Sequence, residues 1–307
     1  MMHHHLKKTT AMSTVEIHPL IHTPMLLGET PLWHPGESTL YWIDIAGKSV
    51  HRFRPSDGSY QRWDVPSEPG CIAYCEAGGL LVAMRSGIAK LDTANGELVP
   101  YITAPYDTLK IRFNDGRCDA NGRLWLGTLS DDRTQRAGDL FCLDRGRLRS
   151  AGRPVTVSNG VAFSGDGKTL YHSDTTAHTI MAYEFDLPAG EIGASRVFRH
   201  FSSNKDSTYS GRPDGAAVDS EDAYWCAMYE GGRLLRLAAD GTILREILLP
   251  ARCPTMLAFG GDDMKTLFIT TVRHNRSQEE LAQYPLSGHV LTCRVEVPGR
   301  PEYGYID

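Results

Sequence analysis

Four short polar clusters carry residue types that metal-assisted chemistry needs. They are Gly28-Glu29-Thr30-Pro31-Leu32-Trp33, Arg112-Phe113-Asn114-Asp115-Gly116, Val157-Ser158-Asn159-Gly160-Val161-Ala162-Phe163 and Arg212-Pro213-Asp214-Gly215-Ala216. Counted from Glu29 through Asn114 and Asn159 to Asp214, the spacings are 85, 45 and 55 residues. Asn-Gly and Asp-Gly pairs are common in turns, so one cluster alone would indicate only a turn. Four clusters at a related phase, each beside a strand-like run, favour one shared site.

Glu29, Asn159 and Asp214 together offer two carboxylates and one amide oxygen. These are hard oxygen ligands, which suit Ca²⁺, Mg²⁺ or Mn²⁺. No Cys or His pair accompanies them, so a closed structural zinc site is not predicted. Three protein ligands leave coordination positions open for water and substrate, as a Lewis-acid catalyst requires. The sequence has no Gly-x-Ser-x-Gly run, which argues against a serine nucleophile elbow.

The elements that would position these residues repeat along the chain. Six segments share an aliphatic or aromatic pair within a β-rich run, namely Leu40-Tyr41-Trp42-Ile43-Asp44, Leu80-Leu81-Val82-Ala83, Leu124-Trp125-Leu126-Gly127, Leu170-Tyr171-His172-Ser173-Asp174, Tyr224-Trp225-Cys226-Ala227 and Leu267-Phe268-Ile269-Thr270. Anchored at residues 41, 81, 125, 171, 225 and 268, they follow one another at steps of 40, 44, 46, 54 and 43 residues. Repeats of this length are typical of propeller blades.

A second strand-like run follows at a short distance, at residues 50–53, 88–91, 140–143, 180–183, 234–237 and 290–293. Asp-Gly and Asn-Gly pairs lie between the runs and supply the positive φ values that tight hairpins need. No long stretch carries a 3.6-residue apolar period. We therefore predict an all-β fold, a six-bladed β-propeller whose central channel holds the metal site. A β-sandwich is the alternative, but it does not explain six similar units.

The composition excludes several classes of protein. With 41% hydrophobic and 22% charged residues, the 307-residue chain is globular and neither disordered nor fibrous. Its net charge of −5 argues against nucleic acid as a partner, since electrostatic nucleic-acid binders are usually basic. No window of 18 apolar residues is present, so no membrane span is predicted. We expect a monomer or a weak homo-oligomer.

The start of the chain is a segment outside the repeats. Residues 1–14 contain His3, His4 and His5 but no apolar core and no cleavage site, so they predict a disordered leader or tag remnant and not a secretory signal. Residues 15–307 are predicted to form one propeller domain. Seven irregularly spaced cysteines without a signal peptide predict reduced thiols in a cytoplasmic protein.

Between about residues 26 and 298 the sequence resembles the family of gluconolactonases, regucalcin (senescence marker protein) and luciferin-regenerating enzymes. The motifs that carry the resemblance are Gly28-Glu29-x-Pro31-x-Trp33, Leu40-Tyr41-Trp42-Ile43-Asp44, Arg112-x-Asn114-Asp115-Gly116, Gly122-Arg123-Leu124-Trp125-x-Gly127-Thr128, Ser158-Asn159-Gly160, Ser164-x-Asp166-Gly167-Lys168-x-Leu170-Tyr171, Pro213-Asp214-Gly215 and Ala258-Phe259-Gly260-Gly261 followed by Leu267-Phe268-Ile269-Thr270-Thr271. The resemblance implies a six-bladed propeller with one catalytic divalent ion on its axis.

Carried across residue by residue, the resemblance places the metal ligands on Glu29, Asn159 and Asp214. The ion would be Ca²⁺, Mn²⁺, Mg²⁺ or Zn²⁺. The resemblance also implies that Arg112 and Asn114 hold the substrate. A further acidic substrate contact falls on Asp132, where some relatives have Glu, and Asp131 is the alternative for this contact.

The reaction implied by the resemblance is hydrolysis of a sugar lactone to its aldonic acid, a carboxylic-ester hydrolysis. The metal would polarise the lactone carbonyl and stabilise the developing oxyanion. Asp214 would bind the metal and accept a proton from the attacking water, and attack by a metal-bound hydroxide is the alternative. Arg112 and Asn114 would fix the orientation of the substrate.

Three other functions remain open at this point. One is a phosphotriesterase-like or aryl-ester hydrolase on the same propeller. The second is a regucalcin-like Ca²⁺-binding regulatory protein. The third is a noncatalytic interaction propeller, which leaves the set of Glu29, Asn159 and Asp214 unexplained.

Overall fold

Six antiparallel four-stranded sheets account for nearly all regular structure in residues 15–307, the part of the chain that the computed structural model describes. Blades 1 to 3 contain β2 (Gly28–His34), β3 (Thr39–Asp44), β4 (Ser49–Arg54), β5 (Ser59–Asp64), β6 (Pro69–Tyr74), β7 (Leu80–Met84), β8 (Gly87–Leu91), β9 (Leu98–Thr103), β10 (Ile111–Cys118), β11 (Leu124–Ser130), β12 (Leu140–Asp144) and β13 (Arg147–Ser150). Blades 4 and 5 contain β14 (Ser158–Phe163), β15 (Thr169–Asp174), β16 (Thr179–Asp186), β17 (Glu191–His200), β18 (Arg212–Val218), β19 (Tyr224–Tyr229), β20 (Arg233–Leu237) and β21 (Ile243–Leu248).

Blade 6 joins the two ends of the described chain. It contains β22 (Pro254–Gly260), β23 (Thr266–Thr271) and β24 (Leu291–Arg294), and its outermost strand is β1 (Ile17–Pro19), which pairs antiparallel with β24. A six-residue helix, α1 (Gln278–Gln283), lies between β23 and β24. The first strands of neighbouring blades contact one another in a closed circle, from β2 through β6, β10, β14, β18 and β22 back to β2. The predicted six-bladed β-propeller is therefore confirmed.

The repeat found in the sequence marks the second strand of each blade. All six anchor segments fall in β3, β7, β11, β15, β19 and β23. Their apolar residues are buried on both faces, with Trp42, Trp125 and Trp225 each at most 1% exposed, because each blade packs between two others. The second set of runs lies in the third strands, β4, β8, β12, β16, β20 and β24.

The first strands of the blades are irregular at one end, and this irregularity shapes the channel. Each of the six contains a shift in pairing register with its neighbour, between Glu29 and Leu32, Pro69 and Cys71, Phe113 and Gly116, Asn159 and Ala162, Pro213 and Ala216, and Pro254 and Met256. A β-bulge turns side chains away from the regular alternation and is common next to active sites.

The C-terminal segment covers the end of the channel where the first strands finish. Glu302 pairs with Arg117 of β10, and both side chains are nearly buried. Arg117 also donates to the carbonyl oxygens of Val161 and Ala216 in two neighbouring first strands. Tyr305 is fully buried and its N–H donates to the Tyr74 carbonyl at 2.7 Å. The opposite end, where the first strands begin, carries the pocket described next.

All seven cysteines are buried thiols. Within residues 15–307 no helix is long and apolar enough to cross a bilayer. The predicted leader, residues 1–14, lies outside the described residues.

Candidate active site

A pocket lies on the propeller axis at the end where the first strands begin. Its lining includes Glu29, Arg112, Asn114, Asn159 and Asp214, which come from β2, β10, β14 and β18. All five are buried, with at most 6% of each residue exposed. The structure thus brings together five of the six residues that the sequence predicted for the site.

The bulges explain how these side chains reach the axis. Asn114 and Asp214 lie inside the shifted part of their strands, and Glu29 and Asn159 open the shifts in β2 and β14. Gly160 follows Asn159 with φ +60, and a Cβ there would lie 2.4 Å from the Tyr224 hydroxyl. Only glycine combines this backbone conformation with that close packing, which is why an Asn-Gly pair stands here at a strand start.

A chain of hydrogen bonds fixes the amide side chains across three blades. Arg112 Nη1 donates to Asn114 Oδ1 at 2.8 Å, and Asn114 Nδ2 donates to Asn159 Oδ1 at 2.7 Å. Asn159 Nδ2 donates to the Thr175 hydroxyl at 2.8 Å, and that hydroxyl donates to the Pro213 carbonyl at 2.7 Å. Because Asn159 donates on one side and accepts only one bond on the other, its Oδ1 keeps a lone pair for a further partner.

Three buried carboxyl groups, two of which line this pocket, lie near enough to influence one another. Burial raises the pKa of Glu29 well above its usual range, and the charges of Asp214 and Asp115 add to the effect. Burial, followed by the charge of Asp115, raises the pKa of Asp214 to about 8. Burial also raises the pKa of Asp115 to about 6. Asp115 Oδ2 accepts the Val161 N–H at 3.0 Å, while its Oδ1 has no hydrogen-bond partner among residues 15–307.

These properties fit a hard divalent cation held by Glu29, Asn159 and Asp214. Two buried carboxylates repel each other and retain protons unless a positive charge lies between them. A divalent ion would take the place of those protons, and two carboxylates with an amide oxygen are ligands that such an ion prefers. Across residues 15–307 no three His, Cys, Asp or Glu side chains are arranged to hold a metal. The proposed ligands are not such a group of three, because Glu29 and Asp214 are carboxylates but Asn159 is an amide.

Arg112 is a buried guanidinium without an ion pair in the described part of the chain. Its Nη1 donates to the Phe113 carbonyl at 2.9 Å and to Asn114 Oδ1, and no carboxylate lies within 4.0 Å. Burial, with the neighbouring charges of Arg133 and Arg85, lowers the pKa of Arg112 to about 10. A buried, charged donor of this kind favours a polar or anionic partner in the pocket.

The structure does not bring Asp132 into the pocket lining. Asp132 is exposed, and its Oδ1 accepts the Thr134 N–H at 3.1 Å within a turn. Asp131, the alternative, forms two 3.0 Å hydrogen bonds with the guanidinium of Arg85. The role of either residue as a substrate contact stays a prediction.

Three further residues of the pocket were not assigned from the sequence. Thr175 links Asn159 to the next blade, Arg133 reaches the pocket from the loop after β11, and Arg212 opens β18. Arg212 opens the polar cluster that contains Asp214, so its place in that cluster could have indicated it. Arg133 and Thr175 follow strand ends, and nothing in their local sequence distinguishes them from ordinary loop residues.

A comparison with known families identifies the family of this chain. Residues 27–273 match the family described as the SMP-30/Gluconolactonase/LRE-like region. The chain therefore belongs to this family of six-bladed propellers, and the resemblance noted in the sequence is confirmed.

Particular relatives cover nearly the whole chain. A protein of Pseudomonas putida named 6-deoxy-6-sulfogluconolactonase is 47% identical over 92% of this chain and 96% of its own length. The pentonolactonase XacC of Haloferax volcanii is 32% identical over 92% of this chain and 96% of its own. The crystal structure of regucalcin from Agrobacterium tumefaciens, described as a calcium-binding protein, superposes with a TM-score of 0.89 at 28% identity. The match covers 95% of this chain and 98% of that one.

Proposed function

We propose that this protein hydrolyses a sugar lactone to its aldonic acid with the help of one divalent metal ion in the axial pocket. The observation that carries the proposal is the convergence of Glu29, Asn159 and Asp214 with Arg112 and Asn114 in one buried pocket. The lactonase names of relatives such as these two support the reaction class. We infer that Glu29, Asn159 and Asp214 are the ligands, and that the ion is Ca²⁺, Mn²⁺, Mg²⁺ or Zn²⁺.

A divalent ion bound at these ligands supplies Lewis-acid polarisation of the lactone carbonyl and charge for the developing oxyanion. Asp214 accepts the proton of the attacking water. Burial and the charge of Asp115 raise the pKa of Asp214, whereas Arg212, Arg133 and Arg112 act in the opposite direction. A divalent ion at the ligands would favour the ionised form of Asp214, so that the carboxylate is free of its proton and can accept one from water.

Arg112 and Asn114 orient the lactone. Asn114 Nδ2 donates to the Ser158 carbonyl at 2.8 Å and to Asn159 Oδ1 at 2.7 Å, so the position of Asn114 is fixed before substrate arrives. Arg112 uses one nitrogen of its guanidinium for Phe113 and Asn114, and its other donors remain available for ring hydroxyls. Such fixed donors place the lactone carbonyl in one orientation relative to Asp214.

The relatives suggest two kinds of substrate. 6-Deoxy-6-sulfogluconolactone is the first candidate, because the 47% identical relative is named for it. A neutral pentonolactone is the second, from the name of the 32% identical relative.

A substrate panel with and without metal tests the proposal. Purified protein is treated with a chelator, its metal content is measured by elemental analysis, and Mn²⁺, Mg²⁺, Ca²⁺ or Zn²⁺ is added back. Aldonolactones of five and six carbons, an aryl ester and a phosphotriester are compared by acid release. We expect metal-restored hydrolysis of at least one lactone. Hydrolysis of only the aryl ester or phosphotriester, or no turnover with any metal, would overturn it.

A further inference from the structure

The charged residues that line the axial pocket include more basic than acidic side chains. Two are acidic, Glu29 and Asp214, and three are basic, Arg112, Arg133 and Arg212. A divalent ion at the proposed ligands would neutralise both carboxylates and leave three guanidinium groups facing the pocket. A neutral sugar lactone needs donors and acceptors for its hydroxyl groups but does not need this excess of positive charge.

Arg212 is one of two guanidinium groups at this pocket that the proposed reaction does not use. Its guanidinium carbon lies 5.0 Å from the centre of the Tyr229 ring, which holds the side chain in place. Its Nε is buried and has no hydrogen-bond partner in the described residues. The nearest carboxylate, Glu230, is 3.9 Å away and is shared with Lys205 at 3.1 Å and Arg276 at 3.7 Å. One carboxylate facing three cations leaves Arg212 largely uncompensated.

Arg133 is the other guanidinium group without an assigned role. It lies in the turn after β11 with φ +52, and its N–H donates to the Ser130 carbonyl at 3.0 Å. The two acidic residues before it are occupied elsewhere, Asp131 with Arg85 and Asp132 with the Thr134 N–H. Within residues 15–307 no carboxylate lies within 4.0 Å of the Arg133 guanidinium. The turn therefore presents an unpaired positive charge at the pocket.

Taking the proposed lactonase reaction as given, we propose that Arg133 and Arg212 form an anion subsite that selects lactones carrying a sulfonate or phosphate group away from the lactone carbonyl. Both arginines line the same pocket as Asp214, so both lie beside the space where the lactone would react. Planar guanidinium groups bind tetrahedral anions through paired N–H donors, which suits either group. Arg112, already bound to Asn114, remains the group that orients the lactone ring.

The test compares a neutral and an anionic lactone on the same variants. Kinetic constants for glucono-1,5-lactone, its 6-deoxy-6-sulfo analogue and its 6-phospho analogue are measured on the metal-loaded wild type, Arg133→Gln and Arg212→Gln. Arg147→Gln, on the exposed outer strand β13, is the matched control. We expect each pocket variant to lose about 10- to 100-fold in kcat/KM on the anionic lactones, the range for one charge-assisted hydrogen bond. The loss should arise mainly from KM, with the neutral lactone changed less than about threefold.

Two results would overturn the subsite. Equal losses on neutral and anionic lactones would mean that the arginines act on the oxyanion or on folding, and equal wild-type rates on all three lactones would mean that no anion is selected. A preference for the sulfonate over the phosphate, or the reverse, supports the subsite and identifies which group it fits.

If no lactone is hydrolysed, the proposed reaction fails, and the subsite is then judged by calorimetry with 6-deoxy-6-sulfogluconate and gluconate. At least about tenfold tighter binding of the sulfonated acid, lost in both pocket variants, supports the subsite. Equal binding of the two acids refutes it.

Discussion

Replacing Asp214 with Asn separates the chemical role of this residue from its effect on folding. Asp214 is 6% exposed, and burial together with the charge of Asp115 raises its pKa to about 8. The folded metal-free protein therefore binds a proton at Asp214 at pH 7, whereas the unfolded chain, with an ordinary Asp pKa, does not. Because the folded state holds more protons, the stability of the metal-free protein falls as pH rises from about 4 to about 8. An amide at this position has no charge to bury, so the substitution removes this penalty.

The size of the effect follows from the two pKa values. At pH 7 the difference between an ordinary Asp pKa of about 4 and a folded value of about 8 corresponds to up to about 4 kcal/mol. We expect Asp214→Asn to raise the free energy of unfolding of the metal-free protein by up to this amount, measured by urea denaturation at pH 7. At saturating metal the same variant should lose about 10²- to 10⁴-fold in kcat, the usual effect of removing a general base.

Glu29→Gln is the matched control, since Glu29 is an equally buried carboxylate in the same pocket. It should also weaken metal binding, because a charged hard ligand becomes neutral, but excess metal should restore more of its activity. Asp240→Asn, at an exposed turn, should change neither metal binding nor activity. If saturating metal restores Asp214→Asn as fully as Glu29→Gln, Asp214 is only a ligand. If metal-free Asp214→Asn is less stable than the wild type, burial does not destabilise the charged form of Asp214.

Arg112→Ala and Asn114→Ala should keep stoichiometric metal but lose activity, with a raised KM if they hold the ground state and a lowered kcat if they act in the transition state. Unchanged kinetics on several lactones would refute this assignment. Glu302→Gln should lower the free energy of unfolding by about 3–5 kcal/mol, because it leaves the buried charge of Arg117 unpaired. A urea midpoint equal to that of the wild type would show that the pair does not stabilise the fold. Burial lowers the pKa of His172 to about 4, so the folded state resists its protonation and stability falls as pH drops below about 6.5. His172→Gln should reduce the stability lost between about pH 7 and pH 4.5 by about 2 kcal/mol in urea denaturation, and an unchanged loss would contradict this.

The repeating part of the fold follows directly from local sequence. The second strand of a blade packs between two neighbours, so it needs apolar residues on both faces, and segments such as Leu40-Tyr41-Trp42-Ile43 meet that need. The closure of the propeller ring by β1 has no comparable pattern in the sequence. The pairing of β1 with β24 joins residues almost a whole chain apart, and three residues of strand are too short to show a pattern. The Glu302–Arg117 pair is likewise visible only once the channel exists.

The candidate site also contains some residues that the sequence could predict and others that it could not. Glu29, Asn114, Asn159 and Asp214 lie at the start of, or within, equivalent bulges of similar strands, so their spacing along the chain predicts that they meet. Side chains on loops do not follow this regular spacing along the chain. Asp132 follows a strand motif that suggests a place in the pocket, yet the turn brings Arg133 there and leaves Asp132 exposed. One residue of difference within a turn changes which side chain faces the pocket, and spacing alone does not determine it.

The location of a metal ion tests the central claim most directly. Crystals of the metal-loaded protein, soaked with Mn²⁺ and an aldonate, would be measured at a wavelength where manganese scatters anomalously. We predict one strong anomalous peak on the axis, within about 2.0–2.6 Å of oxygen atoms of Glu29, Asn159 and Asp214, with the aldonate carboxylate beside it. An anomalous peak elsewhere, or an aldonate bound in this pocket at full occupancy without any metal, would contradict the proposed metal-dependent site.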